Sequence, residues 1–225
     1  MSSSGANNQQ VNNQHIARLP VGFKRLMFLG VVGALEVMVP LPESLDVHTL
    51  LLIVSHPHPL YGGNMHNKVV QTVAKAGQTA DMLVLCYNFR GVGASEGEFD
   101  HGHGERHDLK AVLMFALEKW GDRAFILAGF SFGAWISAKV SLLNQPKSLL
   151  LVAPPVSLYP MESLNIQHIS TTIIQGGADE VVDALQVRSW AQKQNADFFW
   201  RQVSSHYFHG QLLWLRGVVT VALGV

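Results

Sequence analysis

The chain has 225 residues, of which 48% are apolar and 14% are charged, and its 16 basic and 16 acidic residues cancel. This length and composition suit one globular domain with a sizeable apolar core. The balanced charge excludes the basic surface of a protein that binds nucleic acid or an anionic membrane. We therefore expect neither of these as a partner.

Cysteine usage and the apolar stretches indicate a cytoplasmic location. The single cysteine, Cys86, excludes an internal disulfide and fits a reducing compartment. Residues 26–40 superficially resemble a secretory signal, but they contain Glu36 and no convincing cleavage site, so a strand pair is expected. Residues 212–225 are too short to span a bilayer and include Arg216.

The first residues differ in composition from the rest of the chain. Residues 1–15 are mostly Ser, Asn, Gln and Gly with almost nothing to bury, which predicts a disordered tail. Beyond the tail we find no internal repeat and no second domain. We therefore expect residues 16–225 to form a single domain.

Beyond the tail, apolar runs typical of strands alternate with segments of helical periodicity. The predicted strands are residues 23–29, 35–39, 49–55, 82–88, 124–128, 148–152, 171–175 and 198–203, and the predicted helices are residues 68–79, 105–120, 132–143, 182–193 and 208–223. This alternation implies right-handed crossovers between parallel strands. The expected fold class is α/β, with a mostly parallel sheet, helices on both faces, and ligands at the carboxyl ends of the strands.

One segment of the sequence has the pattern of a nucleophile elbow. Residues 129–133 read GFSFG, a G-x-S-x-G pattern, between an apolar run typical of a buried strand and an amphipathic helix. In a nucleophile elbow, a serine lies at the apex of a strained strand-to-helix turn. Gly129 and Gly133 fit because the backbone there approaches too closely for side chains. Ser131 is therefore the candidate nucleophile, and the alternative is a structural glycine-rich turn.

A serine hydroxyl needs a base, which in turn needs an acid to orient it. Asp179 follows a predicted strand and is the candidate acid. Glu180 and Asp183 are alternatives, but we expect them to cap the next helix. His206, in the loop after the last predicted strand, is the candidate base. The alternative base is His209, which we expect at or inside the final helix.

The oxyanion of a tetrahedral intermediate needs backbone N–H donors. One candidate is Phe132, which follows the nucleophile. The second is expected from the loop after the first central strand, where Pro57 and Pro59 have no N–H. This leaves His58 or Leu60, and His58 is the candidate because the HPHP sequence occupies the position of an HGxP-type loop.

Three segments together resemble a known family. They read HPHPLYGGNM (residues 56–65), NFRGVGASEG (residues 88–97) and GFSFG. From about residue 23 onward the chain resembles a compact bacterial subgroup of the α/β-hydrolase superfamily, similar to dienelactone hydrolases and small esterases. The resemblance implies a sheet of about eight strands and a serine hydrolase mechanism, with Arg90 in a structural role. Dienelactone hydrolases carry a cysteine at the elbow, where this chain has Ser131, so we do not expect their particular activity.

The remaining motifs add no cofactor to this interpretation. His101, His103 and His107 with Asp108 superficially resemble a metal-binding spacing, but they fall in a flexible loop and a helix start, so we expect no metal. About seventeen residues separate the strands 148–152 and 171–175, which leaves no room for a cap domain.

We therefore expect a serine hydrolase with an open site that cleaves a small-molecule ester or related acyl substrate. The alternatives are a peptidase or amidase with the same triad, and a catalytically silent binding protein on the same fold.

Overall fold

The computed structural model describes residues 22–40 and 49–224, so the predicted tail, residues 1–15, lies outside the described residues. The strands and helices in chain order are β1 (Phe23–Leu29), β2 (Ala34–Pro40), β3 (Leu51–Ser55), α1 (Lys68–Thr79), β4 (Leu83–Tyr87), α2 (Glu105–Trp120), β5 (Phe125–Phe130), α3 (Phe132–Asn144), β6 (Ser148–Val152), β7 (Thr171–Gly176), α4 (Ala184–Lys193), β8 (Asp197–Arg201) and α5 (Leu212–Ala222).

The eight strands form one sheet in the order β1-β2-β4-β3-β5-β6-β7-β8. Strands β3 to β8 pair in parallel, whereas β1 and β2 form an antiparallel hairpin that joins the sheet at β4. The central strands are continuously apolar because helices cover both faces. The sequence prediction of an α/β fold with a mostly parallel sheet of about eight strands is confirmed.

Alternate residues of β3 enter two separate apolar cores, as the two-residue period of a strand requires. Leu51 and Ile53 lie in the core that also contains residues of α2, α3 and α4, whereas Leu52 and Val54 lie in the core that contains residues of α1 and α5. Since the central strands run in parallel, their carboxyl ends meet at one edge of the sheet. The loops after β3, β5, β7 and β8 therefore lie close together.

Two boundary errors concern the end of the chain. The predicted strand 198–203 ends at Arg201, where Gly177 N–H and Ser204 N–H both bond to its carbonyl as the chain turns. The predicted helix 208–223 begins only at Leu212, because Phe208 and Gly210 have positive φ values of 53° and 69°, which a right-handed helix cannot include.

The segment between β6 and β7 has a single 3₁₀ turn, Met161–Ser163, and no cap helix. This confirms the expectation of a fold without a cap domain. Among the described helices, none is long and apolar enough to cross a membrane.

Candidate active site

Ser131 lies between β5 and α3 in a strained backbone conformation, with φ 54° and ψ −120°. The two glycines of the motif allow this turn. A Cβ atom at Gly129 would lie 2.2 Å from the carbonyl oxygen of Gly133, and a Cβ atom at Gly133 would lie 2.3 Å from that of Ser55. The turn therefore has the geometry that the G-x-S-x-G pattern predicts, with serine at its apex.

His206 lies beside the serine, in the loop between β8 and α5. Its Nε2 is 3.1 Å from Ser131 Oγ, and both residues are buried. The imidazole is packed between the rings of Phe130 and Tyr207, with centroid distances of 5.0 and 5.1 Å. The backbone N–H of His206 also donates to Glu180 Oε2 at 3.1 Å. These contacts fix the ring beside the serine.

Asp179 binds the other nitrogen of the imidazole. Its Oδ2 is 2.8 Å from His206 Nδ1, and its Oδ1 accepts the N–H groups of Val181 and Val182 at 2.9 and 2.8 Å. Burial would raise the pKa of Asp179, but the hydrogen bonds from His206 and these backbone amides hold it below its ordinary value. Since a carboxylate only accepts, Nδ1 carries the proton and Nε2 can accept from the serine hydroxyl.

The alternative acids and base lie outside this chain of hydrogen bonds. Asp183 caps α4, with its Oδ1 accepting from two backbone amides, as expected. The expectation that Glu180 also caps this helix is wrong, because its carboxylate accepts from the backbone of His206. His209 is exposed and precedes α5, so its predicted place at or inside the helix is wrong as well.

The loop after β3 brings His58 to the same place. His58 lines one cavity together with Ser131 and His206. Of the two donors considered for the oxyanion, Leu60 N–H is already bonded to His58 Nδ1 at 3.2 Å, which leaves the N–H of His58. Phe132 is the first residue of α3, directly after the serine. The assignment of the His58 and Phe132 amides to an oxyanion hole stays a prediction.

His56 anchors this loop, a role that the sequence did not reveal. Its Nδ1 donates to Pro57 O at 2.6 Å and its Nε2 accepts from Phe89 N–H at 3.0 Å, so the ring is neutral. Complete burial lowers the pKa of His56 to about 3. The sequence signals were its position directly after a predicted strand and at the start of the HPHP segment. His56 ties the start of the HPHP loop to the chain that follows β4.

The cavity at Ser131 has a volume of about 320 Å³. The residues that line it are Pro57, His58, Tyr61, Gly62, Gly63, Asn67, Ser131, Val181, His206 and Tyr207. Tyr61 is 81% exposed and Val181 is 44% exposed, so apolar side chains stand in solvent at the rim of the cavity. A ligand of modest size can therefore reach the serine directly from solvent and cover this apolar surface.

The remaining sequence candidates lie outside the site or support the fold. Arg90 is buried and donates to Asp108 Oδ1 at 2.7 Å and to the carbonyl of Gly104 at 2.8 Å, so it has the structural role that the resemblance implied. His101, His103 and His107 are exposed. Within the described ranges, no group of three or more His, Cys, Asp or Glu residues is arranged to hold a metal ion.

Comparison with known proteins agrees with the fold. Residues 58–167 match the family model described as serine aminopeptidase, S33. An α/β serine hydrolase homologue from Coxiella burnetii is 41% identical, with a TM-score of 0.83 over 89% of this chain and 97% of that chain. A structure from Xanthomonas campestris, described as a member of the α/β serine hydrolases without a lid, is 37% identical, with a TM-score of 0.83 over 91% and 95%.

An uncharacterized protein from Rickettsia prowazekii is 39% identical over 144 residues, which are 61% of this chain and 60% of that protein. The chain thus spans less than two thirds of the length of this curated relative. By contrast, the two bacterial hydrolase structures are matched almost completely at more than a third identity. From these matches and from its fold without a cap, the chain belongs to the α/β serine hydrolases that lack a lid.

Proposed function

We propose that this protein hydrolyses small carboxylic esters through a covalent acyl-enzyme on Ser131. The observation that carries the proposal is the continuous line of hydrogen bonds from Ser131 Oγ through His206 to Asp179, with distances of 3.1 and 2.8 Å. A strained serine, an imidazole and a buried carboxylate in this order are the parts that activate a hydroxyl for attack on a carbonyl carbon.

In the acylation step, Ser131 Oγ attacks the carbonyl carbon while His206 Nε2 takes the hydroxyl proton. Asp179 keeps the imidazole in the required tautomer and stabilises the imidazolium that forms. The N–H groups of His58 and Phe132 donate to the oxyanion of the tetrahedral intermediate. When the intermediate collapses, His206 gives the proton to the departing alkoxide, and an alcohol leaves.

In the deacylation step, a water molecule gives its proton to His206 Nε2 and attacks the acyl carbon. Collapse of the second intermediate breaks the bond to Ser131 Oγ, which recovers its proton from His206. The cavity of about 320 Å³ and its open rim favour an acyl group of a few carbons.

Hydrolysis of p-nitrophenyl acetate and butyrate tests the proposal. We expect Ser131→Ala to abolish turnover while the melting temperature stays close to that of the wild type. Residual activity above about a hundredth of the wild type would place the nucleophile elsewhere, because loss of a triad member costs several orders of magnitude.

Amide hydrolysis is a second candidate, because the matching family model is described as a serine aminopeptidase. The same residues can cleave an amide, provided that His206 protonates the leaving amine. A panel that pairs each ester with its isosteric amide and with an aminoacyl p-nitroanilide separates the two functions. We expect higher kcat/KM for the esters, and a preference for the aminoacyl anilides would favour the peptidase.

A further inference from the structure

Gln175, near the end of β7, is fully buried and lies behind the proposed acid. Its Nε2 is 2.9 Å from Asp179 Oδ2 and 3.1 Å from the carbonyl oxygen of Gly176. Asp179 Oδ2 is the same oxygen that binds His206 Nδ1. Asp179 therefore lies between Gln175 and the imidazole of His206, and Gln175 does not line the cavity at Ser131.

The orientation of the Gln175 amide follows from its neighbours. The opposite orientation would place Oε1 against a carboxylate and a carbonyl, both of which only accept hydrogen bonds. With Nε2 toward Asp179, the buried Oε1 has no hydrogen-bond partner among the described residues. A buried oxygen without a hydrogen-bond partner lowers the free energy of unfolding, and such unsatisfied polar groups are expected at functional sites.

The Asp179 carboxylate thus receives two donors on each oxygen. Val181 and Val182 hold Oδ1, whereas Gln175 and His206 share Oδ2. Removing the Gln175 donor would leave Oδ2 held by His206 alone, so the carboxylate could rotate away from the imidazole. We propose that Gln175 is a positioning residue that fixes Asp179 Oδ2 against His206 Nδ1. This role rests on the proposed function.

Replacement by an unbranched side chain of similar length tests the donor. We expect Gln175→Met to lower kcat for p-nitrophenyl butyrate about tenfold, the effect of one lost hydrogen bond to a charged group. KM should change less than twofold, because Gln175 does not line the cavity. The matched control is Gln194→Met, a second buried glutamine that accepts Ile166 N–H, and it should leave kcat unchanged.

A second variant, Gln175→Glu, separates positioning from packing through the pH profile. When protonated, the new carboxyl can donate to Asp179 Oδ2 as the amide does, and when ionised it repels that carboxylate. The titratable and charged groups around Asp179 include His206, Glu180, Asp183 and Arg188, and all of them are common to variant and wild type. The ratio of variant to wild-type kcat/KM should therefore fall at least tenfold from pH 6 to pH 8, whereas a packing defect would lower it equally at every pH.

One readout needs no turnover, namely the downfield proton NMR signal of His206 Nδ1–H in the full-length protein. It should move in Gln175→Met and stay in place in Gln194→Met. An inactive wild type would contradict the proposed function, but the NMR comparison would still test the role of Gln175. An unmoved signal, an unchanged kcat in Gln175→Met, or a ratio that is constant with pH in Gln175→Glu would each overturn the role of Gln175.

Discussion

Gly133, in the first turn of α3, lies so close to the end of β3 that a Cβ atom there would be 2.3 Å from the carbonyl oxygen of Ser55. This contact joins two parts of the site, because the strand that ends at Ser55 leads directly into the loop with His58. The helix that follows Ser131 is held against that strand by backbone contact. Because Gly133 has no side chain, the helix can lie this close to the strand, which brings the serine near the proposed oxyanion donor.

We expect Gly133→Ala to lower the free energy of unfolding by about 3 kcal/mol, because backbone must move to accommodate the methyl group. Gly217, inside α5, is the matched control, since a Cβ atom there meets nothing within 4 Å. Gly217→Ala should raise the free energy of unfolding by about 0.5–1 kcal/mol. Urea denaturation measures both, and equal stabilities of the two variants would contradict this account of the turn.

We expect substitutions of the two histidines after β8 to have opposite effects on activity. His206→Ala should lower kcat by several orders of magnitude, because the serine loses its base. His209→Ala should change kcat less than twofold, since this residue is exposed and does not line the cavity at Ser131. Circular dichroism of both variants checks that they fold. An active His206→Ala beside an inactive His209→Ala would reverse the assignment.

The rim of the cavity should limit acyl chain length. We expect kcat/KM to fall once the acyl group exceeds a few carbons, because a longer chain leaves the cavity of about 320 Å³. Tyr61→Ala should lower kcat/KM for the butyrate ester about fivefold, equivalent to about 1 kcal/mol of lost apolar contact.

Leu60→Ala is the control for Tyr61, because Leu60 is 67% exposed in the same turn and does not line the cavity. It should leave the profile of kcat/KM against chain length unchanged. A preference for octanoate or longer esters would reveal a lid that this structure lacks. Equal effects of both substitutions would contradict the contact assigned to Tyr61.

His56 should make stability depend on pH. Its pKa is about 3 in the folded chain and near 6.5 when unfolded, so between pH 6.5 and pH 3 the unfolded state binds this proton and the folded state does not. Its contribution to stability is therefore fully present above pH 6.5, and it falls by about 1.4 kcal/mol per pH unit toward pH 3. His56→Asn should be less stable at pH 7.5 but should lose stability less steeply between pH 6 and pH 4.5. Urea denaturation at each pH measures the free energy of unfolding. If it falls equally with pH in both proteins, the buried neutral imidazole is contradicted.

Local sequence pattern was sufficient to predict most of the fold. The limits of β1 and β6 are those expected from apolar runs, and the close backbone approach expected at the two elbow glycines is present. The stripe predicted for α3 extended to Leu143, which is 88% exposed because the last turn of the helix passes beyond the core. Helical periodicity predicts which face of a helix a side chain lies on, but it does not predict where along the helix the contact with the core ends.

Partners that are distant in sequence could not be predicted in this way. Sequence position predicts a helix cap for Glu180, but the fold brings it to the backbone of His206, 26 residues further on. Local pattern places His56 directly after a predicted strand and Gln175 at the end of one, whereas their roles depend on where Phe89 and Asp179 lie in space. Such hydrogen bonds between residues distant in sequence arise from tertiary packing, and local residue spacing does not predict them.

The central claim is that Ser131 is an activated nucleophile, and covalent labelling with a fluorophosphonate probe tests it without a known substrate. We expect the wild type to gain one adduct by intact-protein mass spectrometry, mapped to the peptide that contains Ser131, and Ser131→Ala to gain none. An unlabelled, correctly folded wild type, or an adduct that persists in Ser131→Ala, would contradict the claim.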